Sequence, residues 1–300
     1  MVEHLPMGYE HLIHNEEFNL LDDRAAVLEA LEGSDTKIIG NLKDLRPEIY
    51  ASNEVNLAFI NSIEELPEKL ITSNSFKLCL VPFAGHDSLF GIFKPQSGEN
   101  KSRLNEFSIT DMYSREIYAY LVDYWSNLGV VPPTVEKTID GSKGSLQLYI
   151  PPSLAEIPKR VYDLNWNIVQ NSDMWKRIAM LHILIYNADG NDNNVLVGKE
   201  DNNMTISVDH GCSMCMKRKK DYSIAIKTFT GGHASPDFND DQINCLQSLI
   251  NNERELIDSV PDGMRDRLES IGPNPFELAD IMLRHGSLRP GIDAYFKMTH

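Results

Sequence analysis

The chain has 300 residues, of which 42% are apolar and 24% are charged, and its net charge at pH 7 is −16. A chain of this length can bury a large core as one large domain or two ordinary ones, and no apolar run approaches the roughly 18–20 residues that span a bilayer. The negative charge argues against broad nucleic-acid binding, because phosphate backbones would be repelled.

The cysteines and the N-terminus bear on the compartment. The sequence contains four cysteines, Cys79, Cys212, Cys215 and Cys245. This number is low for a disulfide framework in a chain of this size, which favours a reducing compartment. The N-terminus lacks the basic and apolar regions of a secretory signal. We therefore expect a cytoplasmic protein without a transmembrane segment.

The first 95 residues contain one predicted helix and one predicted hairpin. Residues 1–75 give few regular signals apart from a helix over 21–32, ended by Gly33, and are interpreted as an N-terminal extension of unclear structure. Two short apolar runs, 76–83 and 88–95, flank a turn-like tetrapeptide and predict a β-hairpin. The polar residues 96–108 are predicted to form a loop.

A long helix and a second pair of strands come next. Thr110 or Asp111 is predicted to cap the helix and Gly129 to end it, because apolar residues between them recur at helical spacing. The segments VVPPTV and SLQLYI then read as strands around a turn at Asp140–Gly144. Pro151-Pro152 marks a break, where we predict a hinge between two lobes.

The second half of the chain has a different pattern. Ser172 is predicted to cap a helix that runs through Tyr186, and the short strands VLV and TISV follow around a turn at 198–203. Further helices are predicted near 239–258, 262–271 and 275–285. The order predicts an α+β fold with an N-terminal lobe of strands plus one helix (76–151) and a mainly helical C-terminal lobe (152–300).

Residues 187–211 carry the pattern that is most informative about chemistry. Asp189 is followed by Asn194, then by the predicted hairpin, and then by Asp209 in the sequence Asp-His-Gly. A kinase-type site needs a carboxylate near the acceptor hydroxyl and hard oxygen ligands for Mg²⁺. Upstream, Lys94 at the end of a strand and Glu116 on the following helix could supply a cation for the phosphates and its carboxylate partner.

Several short motifs, in order, resemble a known family. They are GIFKP, REIYAYLVDYW, GVVPPT, GSLQLYI, NAD-x₄-N and VDHG, and together they cover roughly residues 85–215. This part of the chain resembles the bacterial proteins related to phosphatidylinositol 3- and 4-kinases. The resemblance implies a two-lobed protein-kinase-like fold with ATP and Mg²⁺ as cofactors.

The resemblance also implies a role for each residue of the pattern. Lys94 would contact the ATP phosphates and Glu116 would pair with it, while Asp189 would be the catalytic-loop aspartate. Asn194 and Asp209 would be the metal ligands. The adenine-binding hinge would be formed by Gln147, Leu148, Tyr149 and Ile150.

Two further segments have roles only by the same resemblance. The chain has no G-x-G-x-x-G sequence before Lys94, and Gly85-His86 is interpreted as a shorter phosphate loop. The basic run Lys217, Arg218, Lys219 and Lys220 follows Asp-His-Gly, where such kinases meet their acceptor. It is either a solvated loop or a site for an acidic or phosphorylated acceptor.

The expected function is therefore an ATP- and Mg²⁺-dependent phosphotransferase (a kinase) acting on a hydroxyl of a protein, a lipid or a small molecule. The family's catalytic loop continues Asp-Arg-His, whereas this chain has Gly190-Asn191 after Asp189. This departure leaves open a pseudokinase or nucleotide-binding regulatory protein.

Two metal-binding alternatives share the same residues. Positions 1, 3, 5, 8 and 12 of an EF-hand calcium loop fall on Asp189, Asn191, Asn193, Leu196 and Glu200. Position 6 is asparagine where glycine is expected, and a strand-like segment follows. The sequence HGCSMC resembles part of a zinc site but lacks a nearby fourth ligand, which favours buried thiols.

Overall fold

The computed structural model describes thirteen segments of the chain. They are residues 24–33, 36–41, 76–82, 89–99, 101, 104–105, 109–150, 155–156, 172–190, 194–198, 205–215, 223–230 and 234–297. The chain divides into two compact units, residues 1–99 with 132–156 and residues 100–131 with 157–300. The strands of the larger sheet pair antiparallel and helices make up most of the second unit, so the protein is of the α+β class, as predicted.

The first unit contains a five-stranded sheet. Its strands are β1 (Lys37–Asn41), β2 (Lys77–Val81), β3 (Leu89–Pro95), β4 (Thr134–Ile139) and β5 (Ser142–Leu148). The spatial order is β1-β2-β3-β5-β4, and every neighbouring pair is antiparallel. The predicted hairpin of β2 and β3 is confirmed, whereas β1 lies in the region that the sequence left unassigned.

The turn between β4 and β5 is tighter than predicted. Asp140 and Gly141 have φ values of 50° and 73°, and Ile139 pairs directly with Ser142. A two-residue turn with both central residues left-handed matches the twist of a hairpin. The prediction of a strand from Val130 was wrong, because Pro132 and Pro133 have no N–H for a ladder and β4 begins at Thr134.

The helix of the first unit, α1 (Arg24–Glu32), confirms the described part of the helix predicted over 21–32. Lys137 of β4 caps its C-terminal end: Nζ donates to the carbonyls of Leu31 at 2.9 Å, Glu32 at 2.8 Å, and Gly33. These carbonyls have no partner within the helix, so the lysine satisfies them. A 3₁₀ turn (Gln96–Gly98) follows β3, and a short strand, β6, spans Ala155–Glu156.

The second unit is mainly helical. Its helices are α2 (Tyr113–Ser126), α3 (Asp173–Leu184), α4 (Ile224–Thr230), α5 (Asp240–Asn251), α6 (Glu253–Ser259), α7 (Asp262–Ser270), α8 (Pro275–His285) and α9 (Arg289–Lys297). The hairpin β7 (Val195–Gly198) and β8 (Thr205–Ser207) lies between α3 and α4. Among the described residues, no helix combines the length and the apolar character needed to cross a membrane.

Some helix ends follow local sequence signals, and others do not. Ser172 caps α3, accepting from Trp175 N–H at 3.2 Å, as predicted. The helix ends at Leu184 and not at Tyr186, because Tyr186 has a left-handed φ of 48°. The single helix predicted over 239–258 is two helices that meet at Asn252.

The compact units of the structure and the lobes predicted from the sequence assign helix α2 differently. Packing places it in the second unit, whereas the predicted lobes, 76–151 and 152–300, place it with the strands before and after it. The lobes as drawn from the sequence stay a prediction.

Candidate functional site

The hairpin β7–β8 brings two predicted metal ligands to one end. Val195 pairs with Ser207, and Val208 N–H donates to the carbonyl of Asn194 at 2.9 Å. Asn194 therefore precedes β7 at the same end of the hairpin at which Asp209 follows β8. The predicted strands VLV and TISV are confirmed, and they explain why residues 15 positions apart in the chain are neighbours.

The predicted catalytic aspartate is hydrogen-bonded into this end of the hairpin. The side-chain nitrogen of Asn194 donates to the carbonyl of Asp189 at 2.6 Å, and Asp189 N–H donates to Asn187 Oδ1 at 3.1 Å. Asn194 is 6% exposed, while Asp189 and Asp209 are partly exposed. The side-chain nitrogen of Asn194 is held as a donor to the Asp189 carbonyl. The atom of Asn194 that could bind a cation is therefore Oδ1.

Asp209 has an unusual backbone. Its φ is 59°, in the left-handed region that Asp and Asn tolerate better than other side chains because they can bond locally. This conformation turns the chain so that the next two N–H groups point the same way. Those groups, of His210 and Gly211, donate to Glu116 Oε2 at 3.0 Å and Oε1 at 3.2 Å.

Glu116 thus joins α2 to the Asp-His-Gly segment. It is 2% exposed and lies in the first turn of α2. Gly211 allows the close approach, because a Cβ there would be 2.8 Å from Met112 Cε and 3.5 Å from Glu116 Oε1. Sequence reasoning missed this contact; the available signal was the position of Glu116 at the edge of the buried stripe of its helix.

A second set of hydrogen bonds lies behind the catalytic loop. Ala188 N–H donates to the carbonyl of Cys212 at 3.1 Å, and Met214 N–H donates to the carbonyl of Ile185 at 2.7 Å. The side chain of Asn187 is 3.3 Å from His210 Nδ1. The loop that carries Asp189 and the segment that follows Asp209 therefore run side by side.

Arg115 strengthens this arrangement from α2. It is fully buried, and its Nε donates to the carbonyl of Asp111 at 2.9 Å while its Nη1 donates to the carbonyl of Ser213. Ser213 Oγ returns a bond to the Arg115 carbonyl at 3.3 Å. Burial lowers the pKa of Arg115, although a guanidinium keeps its charge in proteins. This role of Arg115 has no signal in the sequence.

Lys94 belongs to the first unit. It lies on β3 opposite Ser145 and is half-buried, with Nζ 5.5 Å from the centre of the Phe76 ring. The predicted ion pair between Lys94 and Glu116 concerns residues of different units and stays a prediction.

The predicted adenine hinge also belongs to the first unit. Gln147 and Leu148 are the last two residues of β5, and Tyr149 and Ile150 follow the strand. Gln147 Nε2 donates to Thr134 Oγ1 at 2.9 Å. The N–H groups of Leu148 and Tyr149 donate to the carbonyls of Pro133 and Phe90 at 2.8 and 2.9 Å, so they are committed within the unit. Burial raises the pKa of Tyr149.

Several predicted residues lie outside the described segments. They are Gly85, His86, Lys217, Arg218, Lys219 and Lys220, together with Asn191, Asn193 and Glu200 of the calcium pattern. The described part of that pattern bears on the alternative: Leu196 is in strand β7, and β8 follows where an EF-hand has its second helix.

The donor atoms determine which of the implied metals these residues could hold. Within the described segments, no group of three or more His, Cys, Asp or Glu side chains forms a metal-binding cluster. Burial raises the pKa of Cys215 to about 11, and Cys212 and Cys215 are both buried free thiols, as the sequence favoured. The carboxylate of Asp209 and the amide oxygen of Asn194 are the hard ligands that Mg²⁺ prefers.

Comparisons of the chain with protein-family models and with curated proteins gave no match.

Proposed function

We propose that the protein is an ATP- and Mg²⁺-dependent phosphotransferase of protein-kinase-like fold, similar to the bacterial relatives of phosphatidylinositol 3- and 4-kinases. The observation that carries the proposal is the hydrogen-bonded convergence of Asp189, Asn194 and Asp209 at one end of the β7–β8 hairpin. A base and two hard metal ligands in one place are the central requirement of phosphoryl transfer. The expected cytoplasmic location belongs to the same proposal.

In this proposal each residue has a separate task. Asp189 orients the acceptor hydroxyl and accepts its proton, because its carboxylate is partly exposed while its backbone is held by Asn187 and Asn194. Asn194 and Asp209 would hold Mg²⁺, which neutralises charge on the phosphates.

Glu116 fixes the backbone that presents Asp209 through its two N–H contacts. Lys94 would bind the phosphates. The adenine ring would meet the Gln147–Ile150 segment at groups other than the N–H donors of Leu148 and Tyr149, which are already bonded.

A second candidate, a nucleotide-binding regulator without transfer, is supported by one specific observation. A Cβ at Gly190 would lie 2.8 Å from His182 Cε1 and Nδ1 and 2.9 Å from Ser223 Cβ. The site therefore has no room for the arginine that follows the catalytic aspartate in the related kinases. Without that cation next to Asp189, binding could persist where transfer is slow.

The decisive experiment compares transfer from γ-labelled and α-labelled ATP to protein and lipid panels in the presence of Mg²⁺. We expect transfer of the γ-label, reduced about 10²–10⁴-fold by Asp189→Asn because a positioned base is lost. Asp209→Asn should also abolish the Mg²⁺-dependent thermal shift with ATP. The matched control is Asp293→Asn, which changes an exposed aspartate of α9.

The outcomes separate the candidates. Binding of Mg·ATP without transfer supports the regulatory protein, and transfer of the α-label indicates nucleotidyl transfer. Absence of both binding and transfer contradicts the proposal. Thermal stabilisation of the protein by Ca²⁺ without nucleotide would instead support the calcium-binding interpretation.

A further inference from the structure

His182 is a buried polar residue that the proposed mechanism does not use. It lies in the last turn of α3 and is fully buried. Its Nδ1 is 2.5 Å from Ser223 Oγ and its Nε2 is 3.0 Å from Ser207 Oγ. Ser207 is the last residue of β8, two positions before Asp209, and Ser223 immediately precedes α4.

The catalytic loop lies directly against the same ring. A Cβ added at Gly190 would be 2.8 Å from two atoms of the His182 imidazole, so the glycine backbone is in close contact with it. The carbonyl of Gly190 also accepts from Ile224 N–H at 2.8 Å. One imidazole therefore touches the residue after Asp189, the strand before Asp209, and the segment that begins α4.

The protonation state makes the two hydrogen bonds directional. Burial, with a smaller contribution from His210 at a ring-centre distance of 5.8 Å, holds the pKa of His182 well below 6.5. A neutral imidazole has one donor and one acceptor, so one serine donates to the ring and the other accepts from it. A phenylalanine could fill a similar volume but would hold neither hydroxyl.

We propose that His182 is a positioning residue that keeps the Asp189 loop and the Asp209 strand at a fixed separation. The inference rests on the proposed phosphotransferase function and adds a residue to it. The hydrogen bond to Ser207 positions the proposed metal ligand Asp209, which follows two residues later. The hydrogen bond to Ser223 positions the proposed catalytic base Asp189 through Gly190, the residue that follows it. Displacement of a positioned group by about 1 Å can cost on the order of 10²-fold in rate.

The two bonds predict different kinetic defects. Ser207→Ala should weaken Mg·ATP binding roughly tenfold with a smaller change in kcat, and Ser223→Ala should lower kcat roughly tenfold with Mg·ATP binding retained. If the two serines had only a structural role, both variants would instead have a lower melting temperature, and kcat and Mg·ATP binding would change to the same extent in each. Ser126→Ala is the control, because Ser126 is also buried and bonds its own helix at Val122 O, 2.6 Å away.

Substitutions of His182 itself allow a selective rescue. The terminal group of asparagine can reach the position of Nδ1, and that of glutamine can reach the position of Nε2. His182→Asn should therefore retain kcat better, and His182→Gln should retain Mg·ATP affinity better, while His182→Phe loses both. Equal defects in all three variants would overturn the proposal.

Hydrogen exchange tests the same contact without relying on activity. In whole-chain His182→Phe, amides of residues 188–190 and 207–211 should exchange faster than in the wild type, whereas Ser126→Ala leaves them unchanged. Unchanged exchange in both segments overturns the proposal. If the wild type shows neither ATP binding nor transfer, the proposed function fails, and the exchange result alone then decides whether His182 joins the two segments.

Discussion

Glu116 places both oxygens of a buried carboxylate on consecutive N–H groups, those of His210 and Gly211. Hydrogen bonds to an ionised acceptor are stronger than those between neutral groups, and loss of one partner leaves a buried group unsatisfied. The residue therefore has a role in the second unit that does not depend on whether it also pairs with Lys94.

Glu116→Gln is expected to lower the free energy of unfolding by about 1–3 kcal/mol, because the amide nitrogen would face an N–H donor. Urea unfolding measures the change. Glu269→Gln is the control, since Glu269 is exposed on α7 and its substitution should have little effect. Equal stability of Glu116→Gln and the wild type would contradict the role assigned to the carboxylate.

Gly190→Ala is expected to destabilise the protein by about 1–3 kcal/mol, because the added Cβ meets His182 and Ser223 at 2.8–2.9 Å in a buried site. Gly263→Ala is the matched change. Gly263 lies in α7 with no atom within 4 Å of an added Cβ, so alanine there should stabilise by about 0.5–1 kcal/mol. Thermal unfolding of the pair checks the difference in sign.

At the scale of elements, helix α9 supports the catalytic loop from the C-terminal part of the chain. Tyr295 is 1% exposed, and its hydroxyl donates to the carbonyl of Asn187 at 2.8 Å. Its ring stacks on Tyr186 at a centre-to-centre distance of 6.0 Å. The side chain of Asn187 in turn holds Asp189 N–H, so a helix distant in sequence bears on the position of the candidate base.

Tyr295→Phe is expected to cost about 0.5–1.5 kcal/mol, because the Asn187 carbonyl loses its donor. Tyr118→Phe on α2 is the control: the Tyr118 hydroxyl is buried and has no hydrogen-bond partner among the residues that the structure describes, so its removal should not destabilise. Chemical denaturation of both variants gives the comparison. A larger loss in Tyr118→Phe than in Tyr295→Phe would contradict the inferred support.

Elements with local signals were predictable from sequence, and those that depend on distant partners were not. The Ser172 cap and the β2–β3 hairpin are specified by adjacent residues. Strand β1 gains its structure by pairing with β2 some forty residues later, and α9 is bonded through Tyr295 to the carbonyl of Asn187, 108 residues earlier. The left-handed conformations of Tyr186 and Asp209 accompany contacts with distant segments, from the Tyr186 hydroxyl to the Pro273 carbonyl and from His210 N–H to Glu116, which a linear pattern does not contain.

For the molecule as a whole, the grouping of Asp189, Asn194 and Asp209 could be predicted because a single hairpin separates them. The contacts of Glu116, Arg115 and His182 could not, because each joins segments that no local period relates.

The pH dependence of global stability should report on His182. Its folded-state pKa lies well below its unfolded value of 6.5, so the unfolded chain binds more protons below pH 6.5. This contribution is complete above that pH and is lost as the pH falls toward the folded pKa, with a slope of at most about 1.4 kcal/mol per pH unit. Urea unfolding from pH 7.5 to 5 should show a flatter profile for His182→Phe.

The control for this pH profile is Ser126→Ala, which alters a buried residue without a titratable group and should retain the wild-type slope. Identical slopes in the wild type and His182→Phe would show that other groups dominate the acid response.

The pairing of β1 with β2 has a practical consequence for producing the protein. A boundary at residue 76 would remove β1, and with it the strand that covers one side of the apolar sequence KLCLV of β2. It would also remove α1, whose last carbonyls Lys137 caps. An uncovered apolar edge strand promotes association between copies. A shortened form of the protein should therefore begin before Arg24, so that α1 and β1 are both kept.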